Sequence, residues 1–404
     1  MTSSAPLPER RTRSGRGGRA APYPRATSVL VALAAAVVVA AGMSGIRGIL
    51  APTLLSLVLV ICASPLRGRL QRVGVPQGLA TGSVILVMFA LIAAFSYAVI
   101  IAFAQFVAML PDYADQFAQI GSQISSALMR IGIGQEQIDS MVGDVSAGNL
   151  AATVTGALGS VASITGALVI LLTMMILMAA DAVFTPPILR HLDERQPLLV
   201  VALGEYATNV RRYMVVTTLL GVVQGVLNTI ALWLLGVPAA LLWGLLAFVC
   251  SFIPNVGYFV AIIPPLIFGF LVGGWPIVGA IVLVYGGINA VVQSIVQPRV
   301  VGHAVSLSQT VTFFSVLFWA VIIGPIGAIL AIPLTLLVKT VLVDADPRAQ
   351  WWRPVFGPTA ETRDVLKAEK AAAKQARDVK RSHAPKAPKA PEAPKTPKTP
   401  QPSN

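Results

Sequence analysis

Between Arg212 and Arg299 the chain carries no aspartate, glutamate, lysine or arginine. A soluble domain has no interior large enough to hide so long an uncharged stretch, whereas a bilayer asks for helices of about 20 apolar residues each. Other uncharged runs precede it, among them Val73 to Pro111. Across 404 residues the hydrophobic fraction is 55% and the charged fraction 12%, with a mean hydropathy of +0.76. That balance belongs to multi-pass membrane proteins. The first apolar run is followed by many others and by no small-residue cleavage site, so it reads as a span and not as a secretory signal. The expected class is an all-α polytopic membrane protein, because helices satisfy their own backbone in hydrocarbon.

The formal net charge of +13 is concentrated at the ends. Residues 1–26 hold six arginines against one glutamate, and residues 344–404 end in the repeat APKAPKAPEAPKTPKTP. Both segments are low in complexity and too polar to build a core, so they read as disordered basic tails. Lysine and arginine beside spans favour the cytoplasmic side and its anionic lipids. Nucleic acid is not an expected partner, since no aromatic residues interleave the Lys-Pro repeat.

Charge then orders the rest. Spans one to three fall within 27–110, at about 26–43, 49–65 and 78 into the hundreds, with the basic loop RGRLQR at 67–72 inside. Residues 111–159 carry Asp112, Asp115, Glu136, Asp139 and Asp144 against Arg130, and Phe117, Ile120, Ile124, Leu128 and Ile131 recur at helical spacing. This predicts an external amphipathic helix, packed on the outer surface or on a neighbouring subunit. Span four covers 160–180. Residues 181–214 mix Arg190, Arg195, Arg211 and Arg212 with Asp193, Glu194 and Glu205, which predicts a cytoplasmic amphipathic segment. Span five follows at about 215–235.

The remaining core, to residue 343, holds two broken elements. Residues 239–272 are interrupted at Pro254, Asn255 and Gly257 and carry Pro264 and Pro265 further on; residues 309–343 are interrupted at Gly324, Pro325 and Gly327 and carry Pro333. Proline removes a backbone donor, and glycine permits a reversal. Each half, at about 15 residues, reaches only about 22 Å, short of a core of about 30 Å. Two helical hairpins are therefore expected, re-entrant or as short spans, joined by a full span at about 276–297. Their broken backbone must face protein or water. The side count puts them on opposite faces, an arrangement that builds midplane sites in secondary transporters. The total is about six full spans plus two hairpins, about eight to ten membrane segments, with both termini cytoplasmic.

Few polar groups remain in the apolar region. Gln224 and Asn228 share a helical face, as do Asn289, Gln293 and Gln297. These amides either line a path for a neutral polyol-like solute or join helices through hydrogen bonds worth about 0.6–2 kcal/mol each. Asn255, between Pro254 and Gly257, reads as a gate. Tyr258 and Tyr285 read as wall or packing residues, and Trp233, Trp243 and Trp275, near predicted span ends, as an interfacial belt. Cys62 and Cys250 lie in apolar runs and read as small core residues. No phosphate loop, metal-ligand spacing or paired carboxylate occurs within a span, so no catalytic residue, metal or cofactor is expected.

The segments FIPNVGYFVAIIPPL (252–266), QPRVVGHAVSL (297–307) and GPIGAILAIPLTLLVK (324–339) together resemble the AI-2E family of bacterial transporters. The resemblance covers about residues 27–343 and is strongest after Val215. It implies an oligomeric inner-membrane protein linked to export of a small signalling molecule and, in some members, to sodium/proton antiport. Ser308 and Gln309 stand where the family pattern has His-Pro, and Val292, Gln293 and Ser294 occupy a stretch where many members carry a carboxylate. Both departures weaken the case for ion coupling. The sequence thus points to a secondary exporter of a small polar solute, with membrane lipids and copies of itself as partners. Sodium/proton antiport and a non-transporting membrane scaffold are the alternatives.

Overall fold

The structure is a computed structural model that describes residues 25–131, 166–292, 307–349, 352–357, 364 and 366–375. Nearly all of the N-terminal tail, most of the C-terminal tail apart from 344–349, 352–357, 364 and 366–375, most of the segment after Arg130, and the stretch holding Gln293 and Gln297 lie outside the described residues. Within them every regular element is helical.

The first helices are α1 (Arg25–Gly45), α2 (Arg47–Arg72) and α3 (Gln77–Met109). A 3-10 turn, Leu110–Tyr113, leads into α4 (Ala114–Arg130), the first part of the expected amphipathic segment. Then come α5 (Gly166–Asp181), which meets α6 (Thr185–Asp193) at 61°, and α7 (Pro197–Leu234). The helices Arg47–Arg72, Gln77–Gln116 and Pro197–Leu234 are each long and apolar enough to cross a membrane, as is Gly257–Ala290 by total length and composition, although it is bent into two limbs. Their outward faces are apolar, with Leu86, Leu219 and Leu283 each more than 60% exposed. Water would not tolerate that much apolar surface, and lipid favours it.

α7 is the central element. Its 38 residues measure about 57 Å at 1.5 Å per residue, well beyond a hydrocarbon core of about 30 Å. The expected division at 214/215, between a cytoplasmic segment and span five, is not a break in the backbone. The change of charge after Arg212 marks where the helix enters hydrocarbon, not where it begins. Its buried residues, from Ala202 through Tyr206, Val210, Tyr213, Thr217, Gly221, Gln224 and Asn228 to Leu232, recur every three or four positions and form one face.

Proline chemistry ties α7 to α2. Pro65 has no N–H to give the Ile61 carbonyl one turn earlier. Arg211 Nε donates to that oxygen at 3.2 Å, and its Nη2 donates to Ser64 Oγ at 2.8 Å. On the other side of α2, Ser56 Oγ lies 2.8 Å from both the Pro52 and the Leu171 carbonyl oxygens, linking α2 to α5.

After a turn at Leu235–Ala239, α8 (Ala240–Cys250) returns along α7. Glycines set the closeness of this pair: a Cβ at Gly225 would sit 2.8 Å from the Gly244 oxygen, and one at Gly244 would sit 2.7 Å from the Gly225 oxygen. Small residues at such contacts let backbones approach where lipid supplies no hydrophobic drive. Residues 251–256 then break the helix, with Asn255 at φ 64°, before α9 (Gly257–Ala290). Gly257 backs onto the Cys250 carbonyl, leaving no room for a side chain.

α9 is itself two limbs. Gly273 and Gly274, the latter at φ 62°, leave helical geometry. A Cβ at Gly286 would lie 3.7 Å from the Tyr258 hydroxyl, whereas in a straight helix residues that far apart in sequence are separated by about 42 Å. The limbs 257–272 and 275–290 are therefore antiparallel. α8 is about 16 Å long and the first limb about 24 Å, both short of a full crossing.

The second broken element is α10 (Gln309–Ile323), α11 (Pro325–Ile329) and α12 (Ala331–Lys339), followed by a π-helical turn, Thr340–Asp344, and α13 (Arg353–Phe356). Gly324, at φ 84°, makes the turn, and Gly327 backs onto the Trp319 carbonyl as Gly257 does onto Cys250. Trp319 Nε1 donates to Thr335 Oγ1 at 3.0 Å, so α10 and α12 run side by side in opposite directions. The first hairpin leaves α7 at Leu235, and the second ends against Ala202 and Asn209. They approach from opposite ends of α7, and Phe252 of the first break packs in one core with Val316, Trp319 and Leu330 of the second element.

One expectation is corrected. Trp233 and Trp275 are exposed, but Trp243 is 6% exposed. It packs against Phe106 at 5.3 Å and Phe268 at 5.7 Å, and its Nε1 donates to the Pro238 carbonyl. It is a core residue and not part of a lipid-facing belt, because its helix turns that face onto α3 and α9.

Candidate functional site: a polar cavity at the first hairpin break

A short helix that stops at Cys250, inside the bundle, leaves space beyond its end. That space is a cavity of about 30 Å³, enough for one or two waters. α7 contributes Thr217, Leu220 and Gln224; the end of α8 and the break contribute Cys250, Ser251 and Ile253; α9 contributes Gly257, Tyr258, Ala261 and, from its second limb, Asn289. Three consecutive elements converge there.

Gln224 and Asn289, expected on one path from sequence spacing alone, are brought to this same cavity. Asn228, one turn further along α7, is 1% exposed, and Tyr285, one turn before Asn289, is 2% exposed. Asn228 Oδ1, Asn289 Oδ1 and the Tyr285 hydroxyl are buried and make no hydrogen bond. A buried polar atom without a partner costs about 1–3 kcal/mol, and native interiors keep few of them. Asn289 lines the cavity, so water or a solute hydroxyl has a ready partner there, while Asn228 and Tyr285 lie one turn away from the lining residues Gln224 and Asn289. Interhelical glue would have them bonded to one another or to the backbone.

Two prolines add acceptors. Pro264 and Pro265 sit inside the first limb of α9, and neither can make the usual bond to the carbonyl one turn before it, on Val260 or Ala261. Ala261 lines the cavity. The lining thus offers amides and hydroxyls, and no carboxylate among its described residues.

The gate residues divide. Pro254 and Asn255 lie in the break, but Asn255 faces the second element: Gln309 Nε2 donates to Asn255 Oδ1 at 3.0 Å. Ser308 caps α10, accepting from the Val311 N–H at 3.2 Å. At the first departure from the family pattern, Ser308 therefore caps a helix and Gln309 joins the two breaks. Gly324, Pro325, Gly327 and Pro333 do not line this cavity; Gly327 and Pro333 are buried within the second element, and Pro325 is exposed. Gln293 and Gln297 lie outside the described residues.

The sequence alone did not single out Thr217, Ser251 or Tyr213. Thr217 lies seven residues before Gln224 on the same face, a signal that periodicity offers. Tyr213 is 4% exposed, and its hydroxyl donates to the Phe252 carbonyl at 3.4 Å, immediately beyond the cavity toward the start of α7. No such contact is written in local sequence.

Comparison with known proteins places these features in context. A family model described as "AI-2E family transporter" matches residues 28–345. The chain is 28% identical over 317 residues to the Escherichia coli K12 protein named "Putative transport protein YhhT", covering 77% of this chain and 89% of that one. It is 26% identical over 315 residues to the "AI-2 transport protein TqsA" of the same organism, covering 78% and 91%. It is also 26% identical over 339 residues to a "Putative transport protein" of Haemophilus influenzae, covering 80% and 94%.

Proposed function

The chain belongs to the AI-2E transporter family, a family of multi-pass membrane transport proteins, and on that premise we propose that it is a secondary carrier for a small, uncharged, oxygen-rich solute. The autoinducer-2 class named for one relative has that chemistry. The observation that carries the reading is the cavity where Gln224 and Asn289 meet at the end of a helix too short to cross a membrane. Amides and hydroxyls there exchange hydrogen bonds with a solute's hydroxyls without needing a counter-ion. The membrane is the bacterial cytoplasmic membrane, with both basic tails on its inner side.

Alternating exposure follows from the two hairpins. In the arrangement described here, Tyr213 on Phe252 closes the cavity toward the start of α7, and the Asn255–Gln309 bond holds the two breaks together. Rocking of one hairpin against the other would break these two weak contacts and open the cavity to that side, while the aromatic cluster of Phe106, Trp243 and Phe268 stays closed on the other. The driving force is the solute gradient or an ion gradient; the absence of a carboxylate among the described lining residues supports solute transport over sodium/proton antiport.

The test is flux in proteoliposomes, following solute efflux and internal pH together, with and without a sodium gradient. Solute movement that falls by about ten-fold or more in Gln224→Leu and Asn289→Leu is the expected result, equivalent to the loss of about 1.4 kcal/mol of solute or transition-state binding. Sodium-driven pH change without solute movement would favour the antiporter, and wild-type flux in both variants would remove the cavity from the path.

A further inference from the structure

A second polar cavity, of about 240 Å³, lies at the opposite end of α7 from the first hairpin. On one side are Lys339, Asp344 and Arg353. The π-helical turn 340–344 brings Asp344 back to Lys339, whose Nζ donates to Oδ2 at 2.9 Å, and Arg353 Nε donates to Oδ1 at 2.9 Å. One carboxylate thus holds two cations. The side chains of Lys339 and Asp344 are each only 13% exposed. On the other side, α7 supplies Glu205 and Asn209. Among the described residues Glu205 forms no ion pair.

The charges are laid out as a dipole. The Lys339–Asp344–Arg353 group carries one net positive charge, and Glu205 across the cavity carries one negative charge. The cations retain donors: Arg353 uses only Nε on Asp344, which leaves its two terminal nitrogens, and Lys339 has further N–H groups. Such a fork and ammonium suit the oxygens of a phosphate. Ala202 and Leu336 give the cavity an apolar side.

Its depth in the bilayer selects the ligand. α7 is uncharged from Tyr213 to its end at Leu234, about 33 Å of helix and so one hydrocarbon thickness. Asn209 and Glu205, one and two turns earlier, therefore sit at the headgroup layer. We propose that this cavity binds a zwitterionic phosphate of the phosphoethanolamine class, with its phosphate on Arg353 and Lys339 and its ammonium on Glu205. Occupancy would pin the last membrane element to α7. The proposal is independent of the solute reading, because none of these residues lines the cavity at the hairpin break.

Native mass spectrometry of the full chain, released from nanodiscs of equal phosphatidylethanolamine and phosphatidylglycerol, tests it, together with thermal unfolding in detergent with and without soluble glycerophosphoethanolamine. The expected result is retained phosphatidylethanolamine, lost about ten-fold in Arg353→Gln, the effect of one charge-assisted contact. Glu205→Gln alters an exposed side chain and keeps its size, so it folds as wild type, and its retained lipid shifts toward phosphatidylglycerol. Stabilisation by the soluble compound identifies a free solute as the source, and retention of lipid without that stabilisation identifies the membrane. Equal retention of both lipids by wild type with no stabilisation, or a lipid preference unchanged in Glu205→Gln, overturns the proposal.

Discussion

Asn228 states the central question at the scale of one residue. It is 1% exposed, and its Oδ1 meets no donor. If it held helices together, Asn228→Leu would cost about 0.6–2 kcal/mol of stability. As an unpaired oxygen one turn beyond Gln224, it carries a desolvation cost of about 1–3 kcal/mol that its replacement relieves, and the same replacement removes a polar group next to the proposed path. The expected outcome is thermal stability equal to or above wild type with solute flux reduced about ten-fold, measured on the same purified variant. A fall in stability with flux intact would make Asn228 structural. The four-residue interval that puts Gln224 with Asn228 on one face of α7 could be read in advance. Thr217, Ser251 and Cys250 could not, since small polar residues are common in membrane helices and only the apposition of three elements gathers them. Trp243 was misplaced for the same reason: distance from a helix end tells depth but not which way the ring faces.

At the scale of elements, prolines and glycines marked in the sequence where two helices are interrupted. Pro254 to Gly257 and Gly324 to Gly327 break their helices where expected, and Gly273–Gly274 separates the limbs at the anticipated boundary. What sequence does not carry is why the glycines are needed. Gly257 and Gly327 both press against a carbonyl of the preceding helix, at Cys250 and Trp319, whereas Gly279 faces open space. Gly257→Ala and Gly327→Ala should each destabilise the protein by about 1–3 kcal/mol through overpacking, while Gly279→Ala should leave it unchanged or slightly more stable. Unfolding in detergent, read by tryptophan fluorescence, compares the three. The continuity of α7 was the element least legible in advance. Arg211 and Arg212 break the hydropathy pattern without breaking the helix, because Arg211 is held by the carbonyl that Pro65 frees on α2. Arg211→Leu should therefore loosen α2 from α7 and lower stability by about 1.5–3 kcal/mol, the worth of hydrogen bonds from a charged donor, while the Ser64 hydroxyl still donates to the Ile61 carbonyl.

For the whole molecule, the claim is that two hairpins entering from opposite ends of α7 meet near its middle and enclose one small polar space. Their shared core around Phe252, Trp319 and Leu330, and the Asn255–Gln309 bond, join the two breaks. Gln309→Ala removes that bond, and the expected outcome is faster solute exchange with little change in stability, since the contact is part-exposed and neutral and worth only about 0.5–1.5 kcal/mol. The chain itself supplies the probe for the most direct measurement, because Cys250 lines the cavity. In proteoliposomes of the Cys62→Ser protein, the reaction of Cys250 with a small water-soluble thiol reagent should proceed during transport and slow when saturating solute is present. Labelling with protection by solute places the moving solute beside Cys250. A thiol that stays inert through many turnovers, or reacts at a rate solute does not alter, contradicts a path through the hairpin cavity.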